Sequence, residues 1–255
     1  MNPNIFISIA IPFFYRNEYS LSQLIRCVNS IKLQTFKNYE IVISAQNEYE
    51  KLIKNNFLKD VKILNAALVK GFIQGNTNNA MNFCCGEWIK IMFSDDFLNN
   101  KNDLERISLV LRDNNESWAI LDSLHFNKKN NKLNKPISSF FNKNILEINT
   151  IGSPSAIVLK NDNPILFDTN TWMRLDTDFY YSLFRKYGKP LKIKNVFVIN
   201  EIHPNQFSNL LINKSKKTKK LLKEEKDYLY KKHNYKKMST FRLITFKIRI
   251  HLYRR

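Results

Sequence analysis

Two short, almost unbroken apolar runs near the N-terminus, residues 5–12 (IFISIAIP) and 39–44 (YEIVIS), flank a stretch of helical periodicity. Strands of this kind, with no polar alternation, must be covered on both faces, which is the environment of a parallel sheet with helices on either side. Between them, Leu21, Leu24, Ile25, Val28 and Ile31 recur at helical spacing, so residues 21–33 read as a helix with Ser20 as its N-cap. Strand, helix, strand in this order is a βαβ unit, whose crossover is right-handed.

The pattern continues. Residues 51–58 read as a short helix and 61–64 as a third strand. Gly71 and Gly75 bracket a loop, residues 77–85 read as a helix, and Gly86 is placed to stop it as a C′ residue. Residues 87–93 (EWIKIMF) form a fourth apolar strand that runs directly into Ser94-Asp95-Asp96. A helix over 102–112, a strand over 118–126, a polar loop over 127–135, a short strand over 156–159, a helix over 176–187 ending at Gly188 and a strand over 191–200 complete the ordered part. No GxGxxG or GxxxxGKS loop occurs, which sets aside dinucleotide oxidoreductases and P-loop enzymes.

Charge is distributed unevenly. The 255 residues carry 41 Lys plus Arg against 22 Asp plus Glu, a net +19. Sixteen of those cations and only three of the acids lie from Asn213 onward, interleaved with Leu221, Leu222, Tyr228, Leu229, Phe241, Leu243, Ile244, Phe246, Ile248 and Ile250. The chain therefore divides into a body, 1–212, and a basic, amphipathic helical extension, 213–255. Such an extension suits either an anionic membrane surface or packing on the body by its apolar stripe. A nucleic-acid-binding protein is the rival from another class, but most of the net charge lies in the tail, with only +6 in the body, and no recognition motif accompanies it. Three cysteines, Cys27, Cys84 and Cys85, are no disulfide framework. With no signal peptide pattern and no long apolar span, the expected setting is cytoplasmic and peripheral on the inner face of the membrane.

Three clusters carry candidate chemistry. Asp95 and Asp96 follow an apolar strand, where open α/β sheets bind ligands. Two adjacent carboxylates there either cap the next segment or hold a cation, and Mg²⁺ or Mn²⁺ would suit their hard oxygens. Asp176 and Asp178 open a helix, where acids complement the macrodipole; one of them is alternatively a general base. His203, after the last strand, is either a surface residue or a ligand to metal or phosphate.

As a set these residues resemble the family-2 glycosyltransferases, which have the GT-A fold. The similarity runs from about Ile5 to Ser208. It rests on Ile11-Pro12-Phe13-Phe14-Tyr15-Arg16, on Ser30-Ile31-Lys32-Leu33-Gln34-Thr35-Phe36 followed by Tyr39-Glu40-Ile41-Val42-Ile43, on Gly71, Asn79-Ala80 and Gly86-Glu87-Trp88-Ile89, and on Phe93-Ser94-Asp95-Asp96. The resemblance implies an α/β, Rossmann-like mixed sheet flanked by helices, and a sugar moved with inversion from a nucleotide-diphosphate sugar to a hydroxyl of a glycan or lipid-linked acceptor, as in bacterial surface-polysaccharide or lipooligosaccharide synthesis. It implies Asp95, Asp96 and His203 as ligands to Mn²⁺ or Mg²⁺, and Asp176 as the base, with Asp178 a structural neighbour. Pro12, Phe14, Arg16, Asn79, Ser94 and Asp95 would line the donor, and nucleic acid is not an expected partner. The chain departs from the family where Ser44-Ala45-Gln46-Asn47 lacks the acid that usually follows the second strand, where Phe93 replaces the first acid of the metal motif, and where Tyr15 replaces an asparagine. These departures leave a second reading open, a binding-only protein on the same scaffold.

Overall fold

The computed structural model describes residues 5–202 and 216–253. Among the described residues one nine-stranded sheet forms the centre, in the order β3-β2-β1-β4-β8-β6-β9-β5, with the two-residue β7 (Lys132–Leu133) pairing β6 at one end. The N-terminal half holds β1 (Ile7–Phe14), β2 (Tyr39–Gln46), β3 (Lys62–Asn65) and β4 (Trp88–Ile91), all parallel. The C-terminal half adds β5 (Phe97–Leu98), β6 (Trp118–Asn127), β8 (Ile157–Lys160) and β9 (Leu191–Ile202). Here β8 runs antiparallel to both β4 and β6, while β9 runs parallel to β6. The sheet is mixed, as expected.

This topology decides which residues share an edge. Because β8 is reversed relative to β4, the chain entering β8 arrives at the edge where β4 ends. Because β6 and β9 point the same way as β4, their C-terminal ends lie there too. Residues from the ends of β1, β2, β4 and β9 and from the start of β8 therefore converge along one rim of the sheet.

Helices cover both faces. Helix α1 (Glu18–Lys32) buries Leu21, Leu24, Cys27, Val28 and Ile31 in the core formed with β1, β2 and α4 (Asp103–Arg112). Its N-cap is Asn17 rather than Ser20: the Asn17 side chain accepts from the Ser20 amide at 3.0 Å, and the Ser20 hydroxyl accepts from the Asn17 amide at 3.2 Å. Ser20 is thus the third residue of a capping box, and the helix starts one turn earlier than the apolar periodicity suggests. The second core lies on the other face, around Trp118, Phe167, Phe179 and Tyr180, with α3 (Ile73–Asn82) and α5 (Leu175–Tyr187). Phe167 and Phe179 stack there at 4.0 Å between centroids.

The expected 51–58 helix is two pieces, α2 (Tyr49–Ile53) and a 3₁₀ turn (Asn56–Leu58). Helix α3 starts at Ile73 and takes Gly75 into its first turn, so it begins and ends earlier than expected. Gly86 is therefore no helix stop. A Cβ on it would lie 2.7 Å from the Ser8 amide nitrogen, so the glycine is there to let the chain pass against β1. Gly188, in contrast, does follow the last turn of α5, at φ 81°. The polar 127–135 segment is the turn of the β6–β7 hairpin.

The C-terminal extension contributes α6 (Lys216–Lys232) and α7 (Thr240–Tyr253). Helix α6 lies against the body, with Leu229 buried in the second core and Tyr230 and Tyr235 packed on it. Among the described residues no helix is long and apolar enough to cross a membrane.

Candidate active site

Asp95 and Asp96 sit on the turn after β4, at the shared rim. Asp96 is buried, 4% exposed, whereas Ser94 and Asp95 are half-buried. Burial, reinforced by the neighbouring Asp95, pushes the Asp96 carboxyl well above the usual carboxylate range, with Ser155, Asn200 and Ser153 acting in the opposite sense. The Ser153 hydroxyl donates to Asp96 Oδ2 at 3.0 Å. Beneath the pair lies Lys90 on β4, fully buried, its amine donating to the Ile91 carbonyl at 2.7 Å and to the Ser155 carbonyl. Burial brings this ammonium down to about 7, only partly offset by Asp96. The adjacent Asp95 and Asp96 carboxylates supply hard oxygen donors, and Mg²⁺ or Mn²⁺ suits that chemistry. Among the described residues no three His, Cys, Asp or Glu side chains gather into a metal cluster. His203, expected as the third ligand, lies outside the described residues.

Asp176 stands in the first turn of α5, half-buried. Its Oδ1 accepts from the Thr177 amide at 2.7 Å and its Oδ2 from the Asn149 side-chain amide. Burial raises its carboxyl to about 6, against the lowering effect of those two donors and of Arg174. A carboxylate that keeps its charge only above about pH 6 is a stronger proton acceptor than an ordinary aspartate.

One loop, 149–155, joins the two acids. Asn149 Nδ2 donates both to Asp176 and to the Gly152 carbonyl, the latter at 2.8 Å, and its Oδ1 accepts from the Gly152 amide at 2.8 Å. Ser153, the next residue, holds Asp96. The Tyr180 hydroxyl, one turn along α5 from Asp176, donates to the Gly152 carbonyl at 2.9 Å. Burial and the charges of Asp176 and Asp96 together keep this phenol protonated. Gly152 has φ 110°, which lets the chain fold back between the carboxylates.

Asp178 plays another part. It is buried, and its carboxylate meets Lys232 Nζ at 2.8 Å and His233 Nε2 at 2.6 Å, both from the C-terminal extension. Lys232 also reaches Asp168 at 2.7 Å, and Lys226 reaches Glu147 at 2.9 Å. Between these pairs, Glu225 of α6 accepts the backbone amides of Trp172, Met173 and Arg174 at 2.6, 2.9 and 3.0 Å. Those are the residues that lead into α5. The extension thus supplies the anionic cap that α5 lacks locally, since its own N-cap residue Arg174 makes no side-chain cap bond.

Of the residues expected on the donor side, those of β1 and of the turn after β4 lie along this rim, and Asn79 does not. Pro12 is buried in β1 opposite Ser44, whereas Phe14 and Arg16 are exposed at the end of that strand. Asn79 lies on α3 and donates to the Ser44 hydroxyl at 2.8 Å, so its amide group engages the sheet face. Sequence reasoning missed the 149–155 loop, although an Asn-Thr-Ile-Gly-Ser-Pro-Ser run entering an apolar strand is a turn signal at a strand end. It also missed Arg26. This α1 side chain pairs with buried Glu201 at the end of β9, lies 4.4 Å from the Phe97 ring centre and donates to the Asp95 carbonyl at 3.0 Å. Nothing local distinguishes Arg26 from any exposed helical arginine, because its partners come from 69 and more residues away.

Residues 8–179 match the family profile described as Glycosyl transferase family 2. Among solved structures, S. aureus TarS 1–349 in complex with UDP superposes with TM-score 0.61 at 14% identity, covering 89% of this chain and 72% of that one. The same TarS fragment in complex with UDP-GlcNAc gives 0.60 at 14%, covering 79% and 60%. A longer TarS structure gives 0.61 at 15%, and there the chain spans 43% of TarS. No curated relative matches the chain.

Proposed function

Because the chain belongs to glycosyl transferase family 2 and has the mixed sheet and flanking helices of GT-A enzymes, we propose that it is a metal-dependent, inverting transferase. It moves a sugar from a nucleotide-diphosphate sugar to a hydroxyl of a glycan or lipid-linked acceptor in surface-polysaccharide or lipooligosaccharide synthesis. The observation that carries this reading is the single 149–155 loop bonded to Asp96 at one end and to Asp176 at the other. This loop supports reading Asp176 and Asp96 as parts of one site.

In this reading Asp176 accepts the proton of the acceptor hydroxyl. The freed oxygen attacks the anomeric carbon as the bond to the diphosphate oxygen breaks, and the configuration inverts. Asn149 and the Thr177 amide hold the carboxylate in place, leaving each oxygen a further lone pair for the incoming proton. Asp95 and Asp96, with His203, are the residues we assign to Mn²⁺ or Mg²⁺. Bound there, the ion supplies positive charge to the leaving diphosphate. Arg26 and Ser153 fix the Asp95 backbone and the Asp96 carboxyl. Pro12, Phe14, Arg16, Asn79 and Ser94 are assigned to the donor side. Residues 1–212 are the catalytic body, and the basic extension, 213–255, is assigned to an anionic membrane surface on the cytoplasmic side.

TarS was crystallised with UDP and with UDP-GlcNAc, so uridine donors are the first to test. Thermal shift with a panel of nucleoside diphosphates, with and without Mn²⁺, should show metal-dependent stabilisation by one nucleotide, and the matching sugar nucleotide should be slowly hydrolysed. Stabilisation without hydrolysis would instead support the binding-only protein, and stabilisation by none would shift weight to a degenerate scaffold and turn attention to Ala45, Gln46 and Phe93.

A further inference from the structure

Helix α7 is apolar on two opposite sides. Phe246 and Ile250, spaced four apart, are buried, with Leu243 half-buried on the same side. Phe241, Ile244 and Ile248, spaced three and four apart, are 79%, 53% and 56% exposed. At about 100° per residue the exposed three fall within a sector of roughly 60°, almost opposite the buried set. The sectors between are basic and exposed: Arg242 and Arg249 on one flank, Lys247 and His251 on the other. A helix that only packed on the body would need one apolar side, and the opposite side would be polar.

We infer that the outer stripe of α7, formed by Phe241, Ile244 and Ile248, is the surface that enters an anionic bilayer, with its flanking cations at the level of the lipid phosphates. This rests on the membrane reading given above and assigns it to one face of one helix. Charge complementarity selects the occupant. Large apolar side chains between Arg242 and Arg249 on one flank and Lys247 on the other match acyl chains beneath anionic headgroups. A polynucleotide would use the cations and leave Ile244 and Ile248 in water. A second copy of this helix would set like charges against each other. Helix α6, by contrast, spends Glu225, Leu229 and Lys232 on the body, so it links the membrane-facing helix to the segment that carries Asp176.

The test uses the full chain and vesicles of phosphatidylcholine with or without about one-third phosphatidylglycerol. The protein should sediment with the anionic vesicles. The triple variant Phe241→Ser, Ile244→Ser, Ile248→Ser, which keeps every cation, should partition at least about tenfold less. Nucleotide thermal shift and donor hydrolysis on the same samples should be unchanged, so that failure of the membrane assignment is separable from failure of the transferase reading. As a gain-of-signal check that needs no loss of function, Ile248→Trp should show a blue-shifted emission on adding anionic vesicles and none with phosphatidylcholine alone. Equal sedimentation of the triple variant and the wild type would overturn the assignment, as would an unshifted emission from the Ile248→Trp variant on vesicles that do bind the protein. So would a wild type that ignores vesicles but binds a polynucleotide, or that forms a dimer abolished by the triple variant.

Discussion

Glu225 is one of the residues through which the extension reaches α5, beside the Lys232 and His233 contacts to Asp178, and Glu225→Ala measures its share of that connection. The substitution removes one carboxylate that accepts three consecutive backbone amides, at 2.6 to 3.0 Å, just ahead of α5. Hydrogen bonds to a charged group contribute roughly 1.5–3 kcal/mol each where the partner would otherwise stay dry. Glu225 is only half-buried, and water takes over part of its role, so the sum is far below three full bonds. Adding a helix-terminus charge effect of about 0.3–1 kcal/mol gives an expected loss of about 2–3 kcal/mol. For a domain of this size that corresponds to a drop in Tm of roughly 4–10 °C. Glu225→Gln keeps one acceptor oxygen and should lose about half as much. Because the loosened segment carries Asp176 and not the donor side, kcat for transfer should fall about tenfold or more while the KM for donor changes little. Melting curves and steady-state transfer kinetics on the two variants check this. A Glu225→Ala protein that melts within about 1 °C of wild type and keeps its kcat would refute the argument.

Three further outcomes follow from the same geometry. Asp176 has a folded-state pKa of about 6, raised above its ordinary 3.8, so folding takes up a proton between those values and this group's contribution to stability falls as pH rises through the window. Asp176→Asn should therefore be more stable than wild type at pH 8, by at most about 3 kcal/mol, while it binds donor normally and loses transfer; wild-type transfer should rise with pH, half-maximal at about pH 6, and level off above about pH 7, and near-normal transfer in the variant would move the base elsewhere. Asp95→Ala and Asp96→Ala should each abolish turnover and the Mn²⁺-dependent part of the nucleotide thermal shift; unchanged turnover in both would remove the metal assignment. Asp178→Ala removes the carboxylate facing His233 and one of the two carboxylates on Lys232, which keeps Asp168, and should expose the lysine-rich α6 to trypsin at low enzyme ratios, whereas an unchanged digestion pattern would mean that the other contacts alone hold the extension.

The apolar runs at β1, β2 and β4 were legible because burial on both faces leaves no polar alternation, a local property of the chain. The βαβ order and the family's spaced motifs placed Asp95 and Asp96 at a strand end and Asp176 at a helix start. Helix boundaries shifted where side chains rather than periodicity decide them: the Asn17–Ser20 capping box starts α1 early, and Gly86 serves the close approach to Ser8 instead of ending α3. The basic extension was legible as charge and amphipathicity, but not which of its helices faces the body.

What the sequence determined by itself is the longer strands and helices and the residue types at their ends, but not the two-residue strands β5 and β7, since period, apolarity and turn chemistry are carried by neighbours along the chain. What only the tertiary structure decided is which of those ends meet. Reversal of β8 brings Ser153 to Asp96 and Asn149 to Asp176, Arg26 finds Glu201 and the Asp95 carbonyl, and Glu225 caps a helix about 50 residues before it. These contacts are hydrogen bonds and ion pairs between groups far apart in sequence. Their strength depends on burial and distance, which exist only once the sheet has closed around them.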